Sequence, residues 1–130
     1  MFSRMRSLSW AAGTAAVAVL AMTANAVAEE PISYKEDVAP IVQIRCLECH
    51  QPGGDGFVKS GLDLSSYAGL MKGTKFGPVV VPGDTLTSNF LVVVDGRASQ
   101  AIRMPHDRKK LTKCEIDILR RWISTGAKNN

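Results

Sequence analysis

Apolar and polar positions divide this chain into an apolar leader and a longer, mixed remainder. Arg4 and Arg6 precede an apolar stretch from Leu8 to Met22, and Ala26-Val27-Ala28 forms an A-x-A box. That order predicts a Sec-type signal peptide over residues 1–28, removed on export to the periplasm, with Glu29 the first mature residue. The rival reading is a membrane anchor kept through an uncleaved N-terminus. Dilution of the stretch by Ala, Gly, Ser and Thr favours cleavage.

Beyond residue 28 the periodicity is helical. Ser33-Tyr34-Lys35-Glu36 has the capping-box pattern, and Pro40 suits the first turn of a helix from about Ala39 to Cys49. A single kinked helix starting earlier fits the same residues, and both readings stay open. Gln51 to Gly56 reads as a loop, and Leu62-Asp63-Leu64 as a short extended piece. Ser65 or Ser66 then caps a brief helix around Tyr67 to Lys72. Val79-Val80-Val81 is an apolar run ending in the turn Pro82-Gly83-Asp84. Phe90 to Val94 is expected to form a short helix, with Asp84, Thr85, Thr87 and Ser88 offering caps upstream. The clearest element is the last. Thr112-Lys113-Cys114-Glu115 is a second capping box, Ile118, Leu119, Trp122 and Ile123 make one stripe, and Gly126 marks the stop. The expected class is all-α.

Residues 29–130 amount to one small domain whose core is modest unless something enlarges it. The formal charge of +4 falls to +2 without Arg4 and Arg6. No basic stripe with interleaved aromatics is present, so nucleic-acid binding is not expected.

The decisive chemistry is Cys46-Leu47-Glu48-Cys49-His50, the C-x-x-C-H signature of covalent haem attachment. Two thiols three residues apart on one helical turn face the same way, so each can add to one vinyl group of a single haem. His50 then supplies the proximal axial ligand. Three rival readings exist. A thioredoxin-type pair expects a βαβ pattern that is missing, and a zinc site using Cys114 and His106 lacks a second paired motif. A disulfide across so short a loop is uncommon. Cys114, the odd cysteine, is read as a small packed side chain in the first turn of the last helix. Trp122 and Ile123 are expected to pack that helix against the first one. Gly53, Gly54 and Gly56 suggest a phosphate loop in composition only, without the lysine and preceding strand it needs.

Several further pieces, in order, resemble the small class I cytochrome c domains called planctomycete-type. They are Tyr34 to Ile41, Gly61-Leu62-Asp63-Leu64, Val81-Pro82-Gly83-Asp84 with Ser88, Met104-Pro105, Leu111-Thr112, Glu115-Ile116, and Trp122 to Ala127. The resemblance implies an all-α class I cytochrome c fold, short helices packed around one covalently bound haem c, in a monohaem electron carrier.

A sulfur ligand on the distal face must come from Met71 or Met104, the two methionines of the mature chain. Met71 ends a predicted helix and reads as core filling. Met104 lies in a late loop able to fold back over the haem, and the family pattern places its ligand in a Met-Pro motif, so Met104 is assigned. His106 stands where the family frequently has a second proline. It is read as a solvent-facing residue, with bis-His ligation the alternative. Six-coordinate iron leaves no position for a small-molecule substrate, which favours electron transfer over enzymatic chemistry. Arg108, Lys109, Lys110 and Lys113 are candidates for docking an acidic redox partner. The expected function is therefore an exported carrier of single electrons between redox proteins. The alternatives are a dedicated electron-accepting subunit of a periplasmic dehydrogenase, or a Cys/His metal-binding or thiol redox module.

Overall fold

The computed structural model describes residues 30–130, so the expected signal peptide at residues 1–28 lies outside them. Five short α-helices carry the fold: α1 (Ala39–Arg45), α2 (Asp55–Ser60), α3 (Tyr67–Lys72), α4 (Asn89–Val92) and α5 (Lys113–Ser124). A π-helical turn, Tyr34–Val38, runs directly into α1, and a 3₁₀ turn, Gln100–Ile102, precedes Met104. Among the described residues there are no strands, only isolated bridges at Thr74–Gly77 and Val81–Asp84. No helix among them is long and apolar enough to cross a membrane.

The open choice at the first helix resolves as one helical run in two registers. Ser33 caps it, its hydroxyl accepting from the Glu36 N–H at 3.2 Å. The reciprocal bond comes from the Ser33 N–H to the Asp37 carboxylate at 2.8 Å, one residue later than a capping box places it. The wider first turn agrees with that offset: the Val38 N–H reaches back five residues to Ser33. Pro40, which has no N–H to donate, then sits at the second position of α1. The helix ends at Arg45, not at about Cys49 as expected, because Cys46 turns to φ −129° and the Leu47 N–H bonds Val42 five residues back.

The loop expected over residues 51–56 gives way at Asp55 to α2, which the sequence pattern did not announce. Leu62 to Leu64 is irregular rather than strand, tied by the Leu64 N–H to the His50 carbonyl at 2.7 Å. Ser66 caps α3 through the Gly69 N–H at 3.0 Å, and α4 forms where a short helix was expected. Ser88 stands at the N-cap of α4 but its hydroxyl makes no cap bond. Fully buried, it accepts from the Val81 N–H at 2.9 Å and donates to the Asp84 carbonyl at 2.6 Å, closing the 81–84 turn.

The core gathers Val38, Ile41 and Val42 from the first run with Leu70, Leu91, Leu119, Trp122 and Ile123. Tyr34 packs on Tyr67 with ring centroids 5.0 Å apart and on Trp122 at 5.6 Å, so the last helix does meet the first run. Two of the polar tips in this aromatic group have backbone partners: the Tyr67 hydroxyl donates to Ala127 and the Trp122 N–H to Lys128, each at 2.9 Å. The Asn130 side chain ties the opposite end, accepting from the Tyr34 N–H and donating to Ile32.

Candidate haem-attachment site

Cys46 to His50 forms a tight turn leaving α1, with the Cys49 and His50 N–H groups both donating to the Cys46 carbonyl, at 3.2 and 3.1 Å. The two thiols and the imidazole therefore arise from one compact turn, although it is not the helical turn the spacing suggested. Cys46 packs against the core, with Leu47, Met71, Val79 and Met104 also at its edge. Burial pushes the Cys46 thiol up to about 11, since Arg45 beside it offsets only part of the desolvation and Glu115 and Cys49 add to it. A thiol held this far from ionisation is poorly suited to disulfide exchange.

His50 is half-buried, and burial lowers its imidazole pKa, the Leu62 carbonyl pulling the other way. The ring is therefore neutral at pH 7, as an iron ligand must be. Its Nδ1 is buried with no hydrogen-bond partner. Against the Cε1–Nε2 edge of the ring lies Gly56. A Cβ there would fall 2.8 Å from Cε1 and 2.9 Å from Nε2 of His50. Gly54 is as constrained, since a Cβ would lie 2.5 Å from the Cys49 carbonyl oxygen. The Phe57 N–H donates to that same oxygen at 2.9 Å, so the first turn of α2 rests backbone-to-backbone on the attachment turn. These glycines, set aside in the sequence as loop composition, form the cradle of the histidine.

These observations fit haem c. Two thiols and a neutral imidazole share one turn, a buried imidazole nitrogen is unpartnered, and a glycine cradle fixes the ring. The zinc alternative needs Cys114 and His106 to join that group. Among the described residues no three His, Cys, Asp or Glu side chains converge on a common point. None of the three cysteines is disulfide-bonded, and Cys114 is exposed rather than packed, against expectation.

Residues 46–107 match the family model described as planctomycete cytochrome C. The chain carries a planctomycete-type cytochrome c domain. That match opens on Cys46 and closes just past Met104, so it spans the attachment turn and the candidate distal loop. No curated protein and no solved structure matches the chain. A domain of this family implies covalently bound haem, with electron transfer as the chemistry of its class.

In this cytochrome Met104 is partly buried and packs at the edge of the core, its N–H donating to the Val93 carbonyl at 2.8 Å. Met71, the other candidate, also packs there from the C-terminal half of α3. His106 lies outside the core, its side chain 55% exposed and its Nε2 3.5 Å from the Asp107 carboxylate. The four cations expected to dock a partner are not equivalent. Arg108 makes a two-pronged bond to Glu48, at 2.6 and 2.8 Å. Lys109, Lys110 and Lys113 are exposed and make no ion pair among the described residues. A groove of about 310 Å³ runs along the outside of this loop, lined by Gln100, Arg103, His106, Arg108, Lys109 and Lys110 among others. The cytochrome thus presents a cationic loop surface next to its candidate ligand.

Proposed function

We propose that this chain is an exported monohaem cytochrome c that carries single electrons between larger redox proteins. Cys46 and Cys49 would hold one haem c by thioether bonds, His50 would be its proximal ligand and Met104 its distal one. Bound there, the haem supplies a reversible one-electron couple at iron. The chain's own residues do the rest. The Gly54–Gly56 backbone fixes the His50 ring, and burial keeps that ring neutral. The Val93 carbonyl holds the backbone of Met104, and the apolar cluster around Cys46 excludes water. With both axial positions taken by side chains, no site is left for a substrate, and the protein acts as a carrier rather than an enzyme. The observation that carries this reading is the cradled, neutral His50 immediately after two thiols in one turn.

Lys109, Lys110 and Lys113 would meet an acidic face on the partner, and the address would be the periplasm. A redox titration with haem quantified per chain tests the central part. One haem per chain and a single one-electron step are expected. Two couples, or substoichiometric haem with bound zinc, would contradict it.

A further inference from the structure

Glu48 occupies the second variable position of the attachment motif, between Leu47 and Cys49, and haem attachment itself asks nothing of that side chain. Its carboxylate nonetheless accepts from both terminal nitrogens of Arg108, sixty residues away in sequence and four past Met104, at 2.6 and 2.8 Å. This is the planar, two-bond fit of guanidinium to carboxylate, which fixes orientation as well as distance. A second bridge runs beside it. Arg45, adjacent to Cys46, donates from one nitrogen to the carbonyls of Lys109 and Lys110, at 2.9 and 2.6 Å.

Upstream, the Met104 loop is held at Val93 by the Met104 N–H, and Arg103 donates to the Ala98 carbonyl at 2.9 Å. Between Met104 and Arg108 only Pro105, His106 and Asp107 intervene, and the last two are exposed. The Glu48–Arg108 pair is therefore the first fixed point downstream of the methionine, and it fixes the loop to the turn that carries both cysteines. We propose that Glu48 and Arg108 form a latch that positions the Met104 loop against the haem-attachment turn. The latch rests on the reading of Met104 as distal ligand. Both residues are positioning residues: neither touches the iron, and each acts through the loop.

The pair is exposed, 72% at Glu48 and 49% at Arg108, so salt screens it and its contribution to global stability is small. Its signature is thus a change in how often the loop opens, not a change in melting temperature. Imidazole, added to the haem-loaded full chain, reports that opening, because it binds iron only when the methionine has left. At low ionic strength Arg108→Ala and Glu48→Gln should each tighten apparent imidazole binding by about fivefold. The double variant should match the single ones, since both remove one interaction. Wild type at high salt should approach the variants, and melting temperatures should barely move. Unchanged imidazole binding in both single variants, or effects that add in the double, would overturn the latch alone. If wild type lacks the weak far-red band of an iron–methionine bond, or Met104→Ala leaves imidazole binding unchanged, the ligand assignment falls and the latch with it.

Discussion

Position 56 has to be glycine because the His50 ring lies where a side chain would begin. Gly56→Ala should displace the imidazole and cost about 1–3 kcal/mol of overpacking, read by urea unfolding and by a shifted Soret band. Gly53→Ala is the control. Gly53 has φ +89° with nothing within 4 Å, so alanine there should cost about 1–2 kcal/mol of backbone strain and leave the spectrum unchanged. At the distal side, Met104→Ala should open the sixth position and lower the reduction potential, while His106→Ala, removing an exposed ring, should do neither. A changed ligand-field spectrum in His106→Ala would contradict the assignment of Met104. The candidate haem residues could be named from the sequence, because C-x-x-C-H carries its own chemical reason and the family resemblance points to Met-Pro. The residues that hold them could not. Gly54 and Gly56 signal a turn by composition, but composition does not say which side chain packs against the turn. Glu48 and Arg108, sixty residues apart, become partners only once the fold is known.

Among elements, α5 was the most legible, since its cap, stripe and stop lie within fifteen residues or so of sequence. The capping box is present as expected: Thr112 accepts from the Glu115 N–H, and the Glu115 carboxylate accepts from the Thr112 N–H at 2.6 Å. Burial raises the Glu115 pKa, but the Thr112 bonds and the charges of Arg45 and Lys109 outweigh it and leave the carboxyl lower. A group depressed in the folded state stabilises above its unfolded pKa and loses that contribution as pH falls through the folded one. Thr112→Ala should therefore cost about 1 kcal/mol near neutral pH. The gap to wild type should narrow in acid as Glu115 protonates, which urea unfolding at a series of pH values would show. Ser88→Ala should cost about 1–2 kcal/mol, because it removes the buried hydroxyl that accepts from the Val81 N–H and donates to the Asp84 carbonyl. The sequence marked Ser88 as a possible cap; its actual use, bridging to the preceding turn, depends on a contact seven residues back. The early end of α1 and the presence of α2 were equally hidden, since both follow from how the attachment turn packs against the glycines after it.

For the molecule as a whole, the all-α class and the family were legible, because the motifs recur in a fixed order along the chain. Less legible was how the small core is shared. The aromatic group of Tyr34, Tyr67 and Trp122 closes one part of it, while Cys46, Met71 and Met104 are each partly buried at its edge. That edge is where a covalently held haem would complete the interior, as a domain of this size requires. Ile44 and Pro105 share a groove with Arg45, Arg108 and Lys109, which mixes apolar and cationic surface beside the Met104 loop. If that surface docks an acidic partner, electron-transfer rates should fall as ionic strength rises, and Lys109→Ala with Lys110→Ala should flatten the dependence. The most direct test of the account is the mass of the purified chain under denaturing conditions, from a host able to attach haem. A mass increased by one haem, lost when Cys46 and Cys49 are both replaced by alanine, is the predicted result. An unmodified polypeptide mass from the wild-type chain would contradict it.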